Sequence, residues 1–551
     1  MSNFRGINLR YVNEEYDENG VLIKYTLKYP DNFNFAYDVV DDIAVNDPER
    51  KAMVWLNPQG EERVFSFSEM KSLSDKTANY LASLGIKKGD MVLVVLKRHW
   101  QFWPISVALC KLGAVMIPAT FMLKPHDAEY RVKASGAKAV ICTLESGAAD
   151  AFDAVAEACP ELTVKVSVKG SRDGWNDYDA EMPLAPEHWE RVDTEVHEPM
   201  LMYFSSGTSG NPKMVLHDHL YALGHLLTAK HWHNVNPDGL HFTIADTGWG
   251  KAVWGKLYGQ WTMESNVFTY DFDSFVPLEI LKLVEKYKVT TLCCPPTMYR
   301  FFLKEDFTGL NLSTLEYCTT AGEALNPDVF LEWQKRTGLT IMEGFGQTET
   351  TLTMCNLKGS TPRPGSLGKP SPQYAVDLLN GAGESCKPGE TGELCMRYEP
   401  HHTEGLMMGY YLAPEKTADA MYDGWYHTGD TAWRDEDGYY YYVGRNDDII
   451  KSSGYRIGPF EIESVLVQHE AVLECAITAV PDEVRGNLVK ATVVLNKGYE
   501  PSDALVKELQ TYVKNETAPY KYPRIIEFVA ELPKTINGKV RRAEIRQQDA
   551  K

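Results

Sequence analysis

The chain has 551 residues, 44% hydrophobic and 24% charged, with 56 basic against 76 acidic side chains and a net charge of −20. That length implies more than one folding unit, and the balance fills ordinary globular cores, which excludes a mostly disordered chain. An acidic surface repels nucleic acid and anionic lipid over most of its area, so an anionic substrate needs local Lys or Arg.

The opening stretch MSNFRGINLRYVNEEYDENG has no apolar h-region and is too acidic for a transit peptide. Next, FSEMKSLSDKTANYLASLGI carries apolar residues at helical spacing, starts near a serine and ends at Gly85. MVLVVL reads as a buried strand. WPISVALCKLGAVMIPATFML is interrupted by Lys111, Gly113 and Pro118, so it reads as a buried helix and a strand rather than a membrane span. AKAVICT and TVKVSV are further short strands. The alternation continues through PLEILKLVEKYKVTTLCCPPT and LEYCTTAG, and it predicts α/β architecture with largely parallel sheets. After about Asp430 the texture changes. RDEDGYYYYVGR signals a hairpin, GPFEIESVLVQHEAVLECAITAV a helix and a strand, and LVKATVVLNK another strand. A boundary near Asn446–Asp447 divides a large unit, 1–446, from a small α+β unit, 447–551. Ten scattered cysteines form no C-x-x-C pair, which implies neither a zinc site nor a disulfide framework and points to a reducing cytoplasm.

Five motifs carry chemistry. YFSSGTSGNPK follows a strand-like run, where α/β folds bind ligands. Ser205, Ser206, Thr208 and Ser209 offer hydroxyls, Gly207 and Gly210 free the backbone N–H groups, and Lys213 adds a charge. Asn211 and Pro212 follow the second glycine, so this is not a Walker A loop. On composition alone a surface connection and a phosphate cradle both remain open. EGFGQTET, from Glu343 through Gly344, Phe345, Gly346 and Gln347, supplies a ring for a purine, a hydroxyl at Thr348 and a hard oxygen ligand for Mg²⁺ at Glu349. WYHTGDTAWRDEDGYYYYVGR supplies Asp430 and Arg445, suited to ribose hydroxyls. SSGYRIGPFEIES is a Gly-rich loop entering a helix, and PKTINGKVRR projects Lys539 from an N-G turn.

In this order and at these separations the five motifs resemble the adenylate-forming superfamily of acyl-CoA synthetases, luciferases and peptide-synthetase adenylation domains, over nearly the whole chain. FTIADTGWGKAVWGKLYGQW, GFGQTET, DDIIKSSGYRIGPFEIES and TAPYKYPRIIEFVAELPKTINGK look like the medium-chain acyl-CoA synthetases within it. The resemblance implies stacked, mostly parallel sheets with a β-rich subdomain and a mobile C-terminal domain. It implies that residues 205–213 grip the β- and γ-phosphates, that Gly322, Glu323 and Phe345 line the adenine, and that Thr348 meets the α-phosphate. The family usually has Tyr at position 345; stacking survives the change and the hydroxyl does not. Glu349 would bind Mg²⁺, Asp430 and Arg445 the ribose, and Asp447 would be the hinge. Lys539 would be the catalytic lysine, with Arg456 near the nucleotide–acyl junction. Ser453, Gly454, Tyr455, Arg485, Lys514 and Tyr522 would meet coenzyme A. Trp249, Lys251, Trp254 and Cys293 would wall the acyl pocket, which Gly346 opens where acetyl-specific relatives carry Trp. The expected partners are ATP, coenzyme A and a medium-chain or branched carboxylic acid, with an aryl acid or a short-chain acid as alternatives.

Overall fold

The computed structural model describes every residue except 1–4, 206–210, 454, 483–484, 535–539 and 550–551, together with the backbone but not the side chain of Arg456. Local sequence signals account for the first elements. Ser66 caps the helix Phe67–Ser83: its hydroxyl accepts the Glu69 N–H at 3.2 Å, and the Glu69 carboxylate accepts the Ser66 N–H at 2.9 Å. In the helix Phe102–Leu112 every residue is buried. Lys111 is among them, and its ammonium is paired with Asp41 at 2.7 Å and Asp75 at 2.5 Å, as burial of a charge demands. Gly113, at φ 67°, ends that helix in the left-handed conformation and releases the chain into the strand Val115–Pro118.

Two sheets dominate. In the first, Met91–Val95, Val115–Pro118, Ala139–Thr143, Val164–Val168 and Pro199–Ser205 run parallel, and Lys213–Asp218 and then Gly409–Tyr410 extend one side antiparallel. In the second, Lys51–Leu56, Asn266–Tyr270, Leu240–Thr243, Thr291–Cys293, Tyr317–Thr320 and Ile341–Gly346 run parallel, and Leu352–Cys355 turns back antiparallel. Continuous apolar runs such as MVLVV fit strands covered on both faces. A smaller antiparallel sheet follows. Its hairpin of Trp425–Arg434 and Tyr440–Arg445 sets Asp430 directly opposite Arg445.

Beyond residue 449 a three-stranded sheet (Val472–Asp482, Gly486–Leu495, Ile525–Phe528) packs under the helices Pro459–Leu466 and Asp503–Glu516. Its core, including Ile450, Ile462, Leu466, Ile477, Val493 and Leu509, is a hydrophobic cluster separate from those of the large sheets. Among the described residues no helix is long and apolar enough to cross a membrane.

Candidate active-site cleft

A cleft of about 1630 Å³ opens where the large sheets, the antiparallel sheet and the helix Arg542–Asp549 converge. The strand Ile341–Gly346 delivers Gly344 to Gly346 to its wall, and Gln347, Thr348 and Glu349 continue along it. Glycine is forced at two of these positions. A Cβ on Gly344 would stand 2.7 Å from the Trp232 ring, and one on Gly346 would stand 2.3 Å from the Thr351 carbonyl oxygen. Gly346 is therefore required by the irregular pairing with Leu352 as well as by the space beside it. Phe345 turns part of its ring to the cleft, with Tyr442 at 6.4 Å.

A hydrogen-bonded chain fixes the wall expected to face ribose. Tyr426 donates to Gln347 Oε1 at 2.6 Å. Gln347 donates through Nε2 to Asp430 Oδ2 at 2.5 Å and to the Thr428 carbonyl at 2.8 Å. Tyr442 donates to Asp430 Oδ1 at 3.0 Å. Arg445 lines the cleft and reaches Asp447 at 3.3 Å. The roles of Tyr426 and Tyr442 were not anticipated from the sequence.

Across the cleft, Gly322, Glu323 and Ala324 form a second wall. Gly322 has φ 103°, a conformation that favours glycine. Thr297 donates to Glu323 at 2.9 Å. The wall is tied to the strand Ile341–Gly346 by Glu343, whose carboxyl accepts the Leu325 N–H at 3.0 Å. Glu343 is buried and does not line the cleft. Burial pushes its pKa up to about 8, so it is protonated at neutral pH.

Ser205 pairs with Lys213 across the antiparallel strands, and Ser205, Asn211, Pro212 and Lys213 all line the cleft. Ser206, Gly207, Thr208, Ser209 and Gly210 lie outside the described residues. Lys213 sits over the Tyr410 ring at 4.6 Å, and the Tyr410 hydroxyl donates to Glu349 Oε1 at 3.0 Å. Glu349 is thus a hard oxygen donor held in one orientation beside Thr348, which suits Mg²⁺. Tyr410 was not anticipated. Nor was His217, whose Nε2–H donates to the Thr348 carbonyl at 2.8 Å; burial lowers its pKa to about 4 and keeps it neutral.

Of the expected acyl walls, only Trp249 and Gly346 line the cleft. Lys251 stands behind it and donates to the Ala321 carbonyl at 2.7 Å. Trp254 stacks with the rings of His225 and His233, with centroids at 6.1 Å and 5.7 Å. Cys293 is fully buried.

The small C-terminal unit meets the cleft with one face. Lys534 and Val540 line it and pair with each other; Lys539 lies between them, outside the described residues. Arg542 binds Glu463 at 2.7 Å and Arg546 binds Asp448 at 2.6 Å. The residues expected at coenzyme A gather elsewhere. Ser453 donates its N–H to the Arg485 carbonyl at 2.9 Å, exposed Tyr455 stacks on Tyr520 at 3.9 Å, and Lys514 sits over Tyr522 at 5.9 Å. None of these lines the cleft. Gly454 and the Arg456 side chain lie outside the described residues.

The AMP-binding enzyme family matches residues 40–411, and the AMP-binding enzyme C-terminal domain matches residues 461–539. Acyl-coenzyme A synthetase ACSM3, mitochondrial, of Homo sapiens is 41% identical over 96% of this chain and 91% of its own. Acyl-coenzyme A synthetase ACSM5, mitochondrial, of Homo sapiens is 41% identical over 94% and 91%. Among solved structures, the anthranilate CoA ligase AuaEII in complex with anthranoyl-AMP superposes with a TM-score of 0.86 at 29% identity, over 95% of this chain and 98% of that one. A benzoate CoA ligase from Burkholderia xenovorans LB400 gives 0.81 at 26% identity, over 93% and 100%. Matched along nearly its whole length, the chain belongs to the AMP-binding enzyme family.

Proposed function

We propose that the chain is an ATP-dependent, AMP-forming acyl-CoA synthetase for a medium-chain or branched carboxylic acid. The observation that carries this reading is the convergence of motifs far apart in sequence on one cleft, whose remaining wall is the C-terminal segment flanking Lys539. The relatives named above are acyl-coenzyme A synthetases, and the reading assigns the same reaction here.

In the first step the carboxylate attacks the α-phosphorus of ATP and pyrophosphate leaves, giving an acyl-adenylate. The coenzyme A sulfur then attacks the acyl carbon, its proton passes to solvent, and AMP leaves. Neither step needs a protein nucleophile, so catalysis is positioning and charge stabilisation. Phe345 and the Gly322–Ala324 wall would hold adenine between them, Asp430 and Arg445 the ribose, and Ser205 to Lys213 with Thr348 the phosphates. Lys539 would bridge the carboxylate and phosphate oxygens, whose charges otherwise repel. Glu349 would hold Mg²⁺, which neutralises phosphate charge when bound. Residues 1–446 and 447–551 are proposed as the two moving units, with Asp447 as the hinge that brings the Ser453–Tyr455 and Arg485 face to the adenylate for the second step.

The exposed cleft side of Gly346 supports an acid longer than acetate. An aryl acid is the second reading, favoured by the rings of Tyr203 and Trp249 on the same wall and by the aryl ligases among the structural neighbours. A panel from acetate to decanoate, with benzoate and 2-methylbutyrate, read as pyrophosphate and thioester, tests the proposal; no pyrophosphate release with any acid would overturn it. We place the chain in a reducing compartment, the cytoplasm, because its ten cysteines are all unpaired and buried. The relatives' names say mitochondrial, and imaging a tagged chain separates the two.

A further inference from the structure

Glu393, Cys395 and His427 form a cluster at the rim of the cleft that the proposed reaction does not use. Cys395 and His427 are directly paired neighbours on adjacent strands, and an irregularity between Glu393 and Cys395 brings the carboxylate to the same imidazole. His427 Nδ1 lies 3.4 Å from Cys395 Sγ and 3.2 Å from Glu393 Oε2, and all three ligand atoms lie within 4.8 Å of one another. A tetrahedral zinc site with ordinary bond lengths separates an imidazole nitrogen from a thiolate by about 3.6 Å and from a carboxylate oxygen by about 3.3 Å. The observed 3.4 Å and 3.2 Å fall close to both values.

One ring nitrogen, His427 Nδ1, faces both groups. Tyr422 stacks flat on the ring at 3.7 Å with an interplanar angle of 3°, which fixes the imidazole plane. Glu393 is fixed as well, since its other oxygen accepts the Gly429 N–H at 2.9 Å.

We propose that Glu393, Cys395 and His427 bind one divalent cation of the zinc type, with solvent from the cleft as the fourth ligand. Glu393 and His427 line the cleft and give the ion access. A thiolate and an imidazole select Zn²⁺, Co²⁺ or Cd²⁺ over Mg²⁺, which separates this site from Glu349. Binding forms the metal–sulfur bond as the Cys395 S–H bond breaks, and the proton goes to solvent.

The test uses the full chain after chelation, titrated with Co²⁺ alone. One equivalent should produce a thiolate-to-cobalt charge-transfer band, which Zn²⁺ abolishes by displacement and excess Mg²⁺ leaves unchanged. Cys395→Ser should remove the band, and His427→Gln should weaken Co²⁺ binding at least about tenfold. The His427 variant alters a partly exposed ring, so it tests the site even if the buried Cys395 variant misfolds. No band at saturating Co²⁺, a band surviving Cys395→Ser, or unchanged affinity in His427→Gln would each overturn the proposal.

Discussion

The small C-terminal unit carries two groups of candidate residues, and they differ in what they touch. One, carrying Lys534, Val540 and the helix Arg542–Asp549, forms part of the cleft wall. The other, carrying Ser453, Tyr455, Arg485 and Tyr520, is exposed and does not line the cleft. The proposed division of labour assigns the first of these groups to adenylate formation and the second to thioester formation.

The strongest way to break this contrast is to disable each face in turn. Lys539→Ala should slow adenylate formation by about 10²–10³-fold, measured as pyrophosphate release, while largely sparing thioester formation from supplied acyl-adenylate. Arg485→Ala should do the reverse, raising the KM for coenzyme A about tenfold with pyrophosphate release intact. Equal loss of both half-reactions in either variant would refute the division.

A finer test concerns what holds the cleft face in place. The Asn326 side chain donates to the Ser464 carbonyl at 3.1 Å across the junction, and it also caps the helix Pro327–Thr337 by accepting the Asp328 N–H at 2.8 Å. Asn326→Asp keeps the cap and loses the donor. Its adenylation rate should fall about three- to fivefold with an unchanged melting temperature. A wild-type rate would mean the bond does not bias the arrangement.

The smallest effect probes the fixed side. Folded Glu343 keeps its proton to about pH 8, whereas the unfolded chain releases it near 4.5. Between those values the folded state binds more protons, so stability falls as pH rises. Glu343→Gln keeps the acceptor for Leu325 and removes that slope. Its melting temperature should exceed wild type by about 2–4 °C at pH 8 and by less at pH 5. A constant difference across that range would mean Glu343 does not titrate as its burial implies.

Much of the frame was legible in the sequence because its signals are local. Ser66 with Glu69 makes a cap, Gly113 ends a helix, and MVLVV can only be a covered strand. The cleft motifs were legible for the same reason, each being a short run with its own chemistry. What escaped was carried by distant partners. Tyr410 reaches Glu349 and Lys213, and Tyr426 reaches Gln347, through contacts that no periodicity announces. The expected acyl walls show the converse difficulty. Trp254, Lys251 and Cys293 are bulky, charged or reactive enough to draw notice, yet in this structure Trp254 stacks on histidine rings, Lys251 holds a carbonyl and Cys293 is core.

The ten unpaired cysteines have a practical consequence. Every thiol is sealed in the folded chain, so it presents no fast-reacting sulfur to an alkylating dye. A cysteine introduced at exposed Ala418 and another at exposed Lys507 would be labelled without removing any native cysteine. Energy transfer between the two dyes would then test the proposed rotation of the C-terminal unit directly, one molecule at a time.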